Sequence, residues 1–152
     1  MTHRWKKIYD GYYEVSDTGL VRRLMPACGA TAGRLRLQHR DRYGYQQVGL
    51  SCSGISFTKK VHSMVALAFI GKRPKGYVVD HIDSNKSNNS ASNLRYITSA
   101  DNILRGTGIA AENSRKSKCP RGHRYDRVDS FGYRNCRPCH NANAKRSRDR
   151  YK

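Results

Sequence analysis

Val78-Val79-Asp80-His81-Ile82-Asp83 is followed by the polar loop Ser84-Asn85-Lys86-Ser87-Asn88-Asn89-Ser90, by Asn93-Leu94-Arg95-Tyr96-Ile97-Thr98, and by Asn102. The first run predicts an apolar strand ending in an Asp-His pair. The loop after it is too polar to bury. Alternation from Leu94 predicts a return strand, and Thr98-Ser99-Ala100-Asp101 has the signature of a helix start, a hydroxyl cap with an acid in the first turn. The order strand, loop, strand, helix gathers a carboxylate, an imidazole and an amide around one point.

Those groups have a shared chemistry. Asp80 is the hard oxygen donor that Mg2+ or Mn2+ prefers. An unperturbed imidazole has a pKa of about 6.5, and a neutral one at position 81 can take a proton from water. Adjacent side chains on a strand point to opposite faces, but both can approach one phosphate where the strand ends or twists, as the loop from Ser84 suggests. Asn93 can tie the hairpin together through backbone groups. Asn102 can supply a second metal ligand and leave most positions for water and phosphate. Hydrolysis of a phosphodiester with one divalent metal needs these parts, the metal stabilising charge on the phosphorane and leaving oxygens.

The rest of the chain suits a polyanion. It has 152 residues, with 30 Lys or Arg against 11 acids and a formal net charge of +19. Such a charge repels itself unless nucleic acid or a similar partner is present. Hydrophobic residues are 37%, below the average of about 45–50%, which argues against a large single core. No run approaches the roughly 20 apolar residues of a membrane span. Met1 to Lys7 lacks an apolar leader core, so a cytoplasmic protein is expected.

Residues 1 to about 55 read as short strands and turns: Gly11 to Ser16, Leu20 to Leu24, Leu35 with Leu37, and Tyr45 to Leu50. Arg22, Arg23, Arg34, Arg36, Arg40 and Arg42 intersperse with them. Such a ribbon can lay Arg in a DNA groove, or the same residues can solvate one sheet face. Lys59, Lys60 and Arg95 complete the candidate DNA contacts. Val61, Met64, Val65 and Ala68 fall at i, i+3, i+4 and i+7, a buried helix face ending near Gly71 before Pro74. His62 on this helix reads as a packed, hydrogen-bonded core residue rather than a ligand. Residues 106–118 read as a linker, and Asn141 to Lys152 as a basic helix that orders on DNA.

Cys119-Pro120-Arg121-Gly122-His123 and Cys136-Arg137-Pro138-Cys139 form two ligand pairs twelve residues apart. Cys3His at this spacing predicts a closed, structural Zn2+ site with each pair on a tight turn. About 30 residues bury too little core to fold without such a staple. His140 is an alternative ligand to His123. Cys136-Arg137-Pro138-Cys139-His140 also spells a c-type haem attachment motif, which no apolar pocket supports. Cys28 and Cys52 read as free thiols.

One long run resembles the HNH endonucleases of the phage and intron-encoded branch. It comprises Lys60-Val61-His62-Ser63-Met64-Val65-Ala66-Leu67-Ala68-Phe69-Ile70-Gly71, Gly76-Tyr77-Val78-Val79-Asp80-His81-Ile82-Asp83, Asn85-Lys86, Asn88-Asn89, Asn93-Leu94-Arg95 and Asn102. Trp5, Ile8, Gly11-Tyr12, Glu14 to Gly19 and Val21-Arg22 are similar to the small module that precedes such cores in homing endonucleases. The resemblance implies a ββα-metal (His-Me finger) site in which Asp80 and Asn102 hold one metal ion, His81 is the general base and Asn93 orders the loop. It implies nicking or cutting of double-stranded DNA. Asn102, in place of the terminal His of many such proteins, matches this branch. Similar Cys-x3-His…Cys-x2-Cys modules stand beside these cores in phage proteins, whereas other relatives carry a helix-turn-helix there.

The expected architecture is α+β: a β-rich DNA-binding segment (1–55), a ββα-metal nuclease core (56–105), a linker (106–118) and a zinc ribbon with a basic tail (119–152). A monomer would favour nicking and a homodimer would cut both strands. If the chain is phage-encoded, the compartment is the host cytoplasm. The rivals are a non-catalytic DNA-binding zinc protein and an RNA-directed protein.

Overall fold

Period-two alternation builds the first sheet. Strands β1 (Trp5–Ile8), β2 (Tyr13–Ser16) and β3 (Val21–Arg23) pair antiparallel in that order, and Tyr13, Val15 and Val21 fall on its buried face. A second antiparallel sheet joins β4 (Gln38–Arg40), β5 (Gln46–Cys52) and β6 (Ile55–Lys60). Ser53 and Gly54 turn β5 into β6 with φ of 49° and 80°, the paired positive values of a two-residue hairpin turn. Helix α1 (Val61–Phe69) follows without a break, then the hairpin of β7 (Tyr77–His81) and β8 (Leu94–Thr98), then α2 (Ser99–Arg105). This computed structural model describes residues 2–26 and 31–150, so Cys28 lies outside the described residues. The chain divides into two units, Met1–Asn102 and Ile103–Lys152.

In the first unit one apolar cluster runs through every layer: Ile8, Tyr13, Val15 and Val21 from the first sheet, Val48 and Leu50 from the second, Val61, Met64, Val65 and Ala66 from α1, and Leu94 from β8. Each such aliphatic side chain, fully buried, contributes roughly 1.5–3 kcal/mol. The boundary expected at 55/56 therefore meets a continuous core and would cut the paired strand β6. Leu35 and Leu37 do not form a strand of their own. Leu35 makes one bridge to Arg22, and both side chains are exposed.

Two contacts tie the first sheet to the loop after β7. Gly19, at φ +93°, sits so close that an added Cβ would stand 2.9 Å from Asn89 Cβ. Ala91 N donates to Asp17 O at 2.7 Å. The turn after β2 is thus a wall of the 84–93 loop.

The second unit contains α3 (Ile109–Arg115), the two-residue strands β9 (Arg127–Val128) and β10 (Arg134–Asn135), and α4 (Arg137–Arg150). Helix α3 lies within the 106–118 segment expected as a linker. Gly108 caps it, its first turn buries Ala111, and small residues leave too faint a period to see. One correction concerns the cysteine pairs. Only Cys119 to His123 is a tight turn. Cys136 precedes α4 and Cys139 lies in its first turn, where Pro138 is tolerated because the missing N–H would be unpaired anyway. Asp126 Oδ1 accepts the N–H of Arg137 at 2.9 Å and caps this helix.

Candidate active site and metal centre

Strands β7 and β8 place Asp80 opposite Arg95 and His81 opposite Leu94. Asp80 Oδ2 accepts a hydrogen bond from Arg95 Nε at 2.9 Å. His81, the next residue, faces the interior and is only 5% exposed. Its ring meets His62 of α1 edge-on, at 5.2 Å and 81° between planes, and lies 6.1 Å from the Tyr45 ring. Tyr45 and His62 stand 4.9 Å apart.

Nε2 of His81 is 3.2 Å from Oδ1 of Asn89, whose amide nitrogen donates to Ser87 O. An amide oxygen can only accept, so Nε2 carries the proton and Nδ1 keeps the lone pair. Asn93 acts on the loop: Oδ1 accepts the Asp83 N–H at 3.1 Å, and Nδ2 donates to Asp83 Oδ1 and Asn88 O at 2.9 Å each. Donors from Asn88, Asn93 and the Asn85 backbone hold the Asp83 carboxyl below its ordinary value. Asn102 is exposed on α2, whose start is fixed by Thr98 Oγ1 accepting from Asp101 N at 3.1 Å. Asp80 and Asn102 offer oxygen donors, a carboxylate and an amide, which suit a small hard cation that keeps most of its water.

Two lysines stand over the same aromatic wall. Lys60 Nζ lies 4.3 Å and Lys86 Nζ 4.9 Å from the Tyr45 ring centroid. Lys86 also donates to Tyr43 O at 3.0 Å, and Lys60 pairs with Asp41 at 3.6 Å. Sequence reading missed Asn89, Tyr45 and Lys86. Asn89 and Lys86 belong to a loop of near-identical polar residues, and Tyr45 arrives from just before β5, far away in sequence.

The candidate DNA contacts separate by environment. Arg23 is 7% exposed and buried in a network, donating to Tyr13 Oη at 2.8 Å, Ser51 O at 3.0 Å and Met25 O at 2.6 Å. It joins the two sheets and cannot reach a phosphate, which corrects its reading as a DNA contact. Arg22 is engaged by Glu14 and lies 4.1 Å from the Trp5 ring, and Arg36 donates to Gly49 O at 3.2 Å. Arg34, Arg40, Arg42 and Lys59 are exposed. His62 is packed in the core, but its Nδ1 is buried without a hydrogen-bond partner, which departs from the expectation of a hydrogen-bonded core histidine.

In the second unit Cys119, His123, Cys136 and Cys139 bring their ligand atoms within 4.8 Å of one another. Cys119 Sγ and Cys139 Sγ are 3.8 Å apart, and His123 Nδ1 is 3.6, 3.3 and 3.9 Å from the sulfurs of Cys119, Cys139 and Cys136. A tetrahedron with Zn–S of about 2.3 Å has edges near 3.8 Å, the Cys119–Cys139 separation, so this donor set suits one such ion. Hydrogen bonding from Cys136 and burial push the Cys139 thiol up to about 11. Burial also opposes ionisation of Cys119, but backbone N–H groups of Arg121 and His123 bring it down to about 6. Three thiols this close cannot all ionise unless a cation joins them. His140 is exposed and outside the set.

The hairpin of β7 and β8 and the helix α2 thus carry Asp80, His81 and Asn102 in one ββα unit, in the same chain as a Cys3His cluster. The comparisons place it more narrowly. Residues 59–104 match the HNH endonuclease model and residues 4–51 the NUMOD4 motif, so the chain carries an HNH endonuclease domain and a NUMOD4 motif. DNA endonuclease I-HmuI of Bacillus phage SP01 is 38% identical over 101 residues, 65% of this chain and 55% of that protein. An uncharacterized HNH endonuclease of Acanthamoeba polyphaga mimivirus is 34% identical over 137 residues, 86% of this chain and 38% of that one. A solved structure described as DNA binding and cleavage by the HNH homing endonuclease I-HmuI aligns with a TM-score of 0.60 at 34% identity. It covers 73% of this chain and 64% of its own. The chain thus spans between about two fifths and two thirds of the length of these relatives. Among the described residues no helix is long and apolar enough to cross a membrane.

Proposed function

We propose that this protein is a divalent-metal-dependent endonuclease that hydrolyses phosphodiester bonds of duplex DNA, as a homing or phage-type nicking enzyme. The observation that carries this reading is the 3.2 Å contact between His81 Nε2 and Asn89 Oδ1, next to Asp80 in the strand: with Nε2–H held by Asn89, the Nδ1 lone pair is left to act as base. Tyr45 and His62 restrict the ring, so little reorientation is needed when it takes a proton. In the reaction Nδ1 accepts a proton from the attacking water, and Asn89 Oδ1 meets the positive charge that develops on the imidazole. Asp80 and Asn102 would hold Mg2+ or Mn2+, which when bound supplies charge stabilisation at the phosphoryl and leaving oxygens. Arg95 balances the Asp80 carboxylate, and a guanidinium has more donors than one carboxylate oxygen uses. Asn93 keeps the loop folded so that Asn89 stays on the ring.

The Cys3His set would hold a structural Zn2+, and α4 with its basic side chains would lie on phosphates. If the gene is carried by a phage, the enzyme works in the host cytoplasm. Plasmid cleavage tests the reading. His81→Ala should bind duplex DNA as the wild type does and lose at least ~100-fold in turnover. Asp80→Ala and Asn102→Ala should change the response to Mn2+ concentration. Equal loss of binding and cleavage in His81→Ala would make that residue structural. Wild type that binds duplex but never cleaves it, with Mg2+ or Mn2+, would leave the non-catalytic DNA-binding reading.

A further inference from the structure

The three phenylalanines of the chain have unequal surroundings. Phe57 and Phe69 pack against the core of the first unit. Phe131 is 84% exposed, at the tip of the hairpin between β9 and β10, with Val128 and Tyr133 exposed beside it in sequence. Isolated apolar side chains on a surface are ordinary, but three large ones on one short hairpin mark a contact surface.

The tip is organised for contact. Asp129 Oδ1 accepts the N–H groups of Phe131 and Tyr133 at 3.0 and 2.9 Å, and its Oδ2 accepts from Asn135 Nδ2 at 3.1 Å. Asp129 N and Tyr133 O close the turn at 3.0 Å, with Gly132 at φ +84°. The base of the hairpin is braced as well. Arg134 donates to Lys116 O at 2.9 Å and to Asn113 O, and its guanidinium lies 4.7 Å from the Tyr125 ring. Phe131 is therefore presented on a fixed loop, so little ordering entropy opposes its use.

The charge around it selects the partner. Residues 103–152 hold 14 Lys or Arg against 4 acids, and Arg127 is exposed next to Val128. An aromatic tip on a strongly cationic module suits an apolar surface inside a polyanion, which is the stacked bases of a nucleic acid. We propose that Phe131, with Val128 and Tyr133 beside it, wedges against a base step of duplex DNA and partly unstacks it while the surrounding cations hold phosphates. This rests on the DNA-binding reading above and adds a surface to it.

The test uses full-length, zinc-loaded protein carrying His81→Ala, so that no cleavage intervenes. Its probe is a duplex selected from a random pool by that protein, with 2-aminopurine placed at each step in turn. Fluorescence should rise at one or two adjacent steps. Adding Phe131→Ser should abolish the rise and weaken binding about 10-fold or more, and Phe131→Trp should restore both. Equal zinc content in all three proteins keeps folding out of the result. Unchanged fluorescence and affinity in Phe131→Ser would overturn the wedge while leaving the nuclease reading standing. So would a variant that keeps its DNA binding but loses self-association in sedimentation, which would make the tip a protein contact. Failure of the His81→Ala parent to select any duplex would remove both proposals together.

Discussion

The two units are held by different forces. Residues Met1–Asn102 bury a continuous aliphatic and aromatic cluster from Ile8 to Leu94. Among the described residues of Ile103–Lys152, only Ala111, Cys119 and Cys136 are buried. Helix α4 buries none of its side chains. The first unit thus folds because apolar area leaves water. The second has strands of two residues and a helix polar all round, and its one convergent feature is four metal-ligating atoms. One chain therefore joins a unit specified by packing to a unit whose convergent side chains are four metal-ligating ones.

The largest test of that contrast is removal of the metal. Apparent binding energies of structural Zn2+ are on the order of 10–16 kcal/mol in small modules, and that energy is folding energy. Chelation, or Cys136→Ser, should erase amide-exchange protection across 119–150 and leave the first unit intact. The sole tryptophan, Trp5, belongs to β1, so its fluorescence reports the first unit alone and should not change. Simultaneous loss of both signals would show that the units share stability.

The converse experiment is Tyr13→Ala. Tyr13 is completely buried and its hydroxyl bonds Ser51 N, Ser51 O and Arg23. Truncation should cost about 3–5 kcal/mol, read as a lower urea midpoint of Trp5 fluorescence with zinc content unaffected. Zinc loss in parallel would again contradict independent units.

A smaller effect comes from acid. Burial lowers the His62 imidazole to about 4, with the charges of His81 and Lys60 adding to it. The folded value lies below the unfolded one, so the unfolded chain binds the proton first. Stability should be indifferent to His62 above about pH 6.5 and fall by on the order of 3 kcal/mol as pH drops from 6.5 to 4. Urea melts followed by Trp5 at several pH values measure this, and His62→Phe should flatten the slope. The smallest effect expected is in Asn89→Ala, with turnover roughly 10-fold lower, unchanged DNA affinity and a shifted pH–rate profile, since the ring loses the partner that fixes its tautomer. An unaltered profile would remove Asn89 from the mechanism.

Much of the site was legible because it is local. The Val78–His81 strand, the Thr98 cap and the Cys3His spacing each declare themselves within a few residues. What sequence reading lost depends on sidedness and distance. Arg22 and Arg23 look alike in the chain, yet β3 turns one to the surface and the other into a buried network. Asn89 is one of several loop asparagines, and only the fold brings its amide to His81. Tyr45 becomes part of the site because β5 leads it beneath α1, a fact no nearby residue encodes. The second cysteine pair looked like a turn because Pro138 suits a helix start as well as it suits a turn.

Gly19 carries a consequence for how such a chain can be recombined. Its missing side chain lets the turn of the first sheet lean on Asn89, and Asp17 holds the same loop through Ala91. Any exchange that grafts a foreign N-terminal half onto residues 59–104 would keep Asp80, His81 and Asn102 but lose the turn that backs Asn89 and Ala91. The donor would have to bring its own small residue and its own carbonyl at those two positions. The two matched segments, 4–51 and 59–104, therefore meet at a fitted surface, and a swap of one should be judged by whether it keeps that fit.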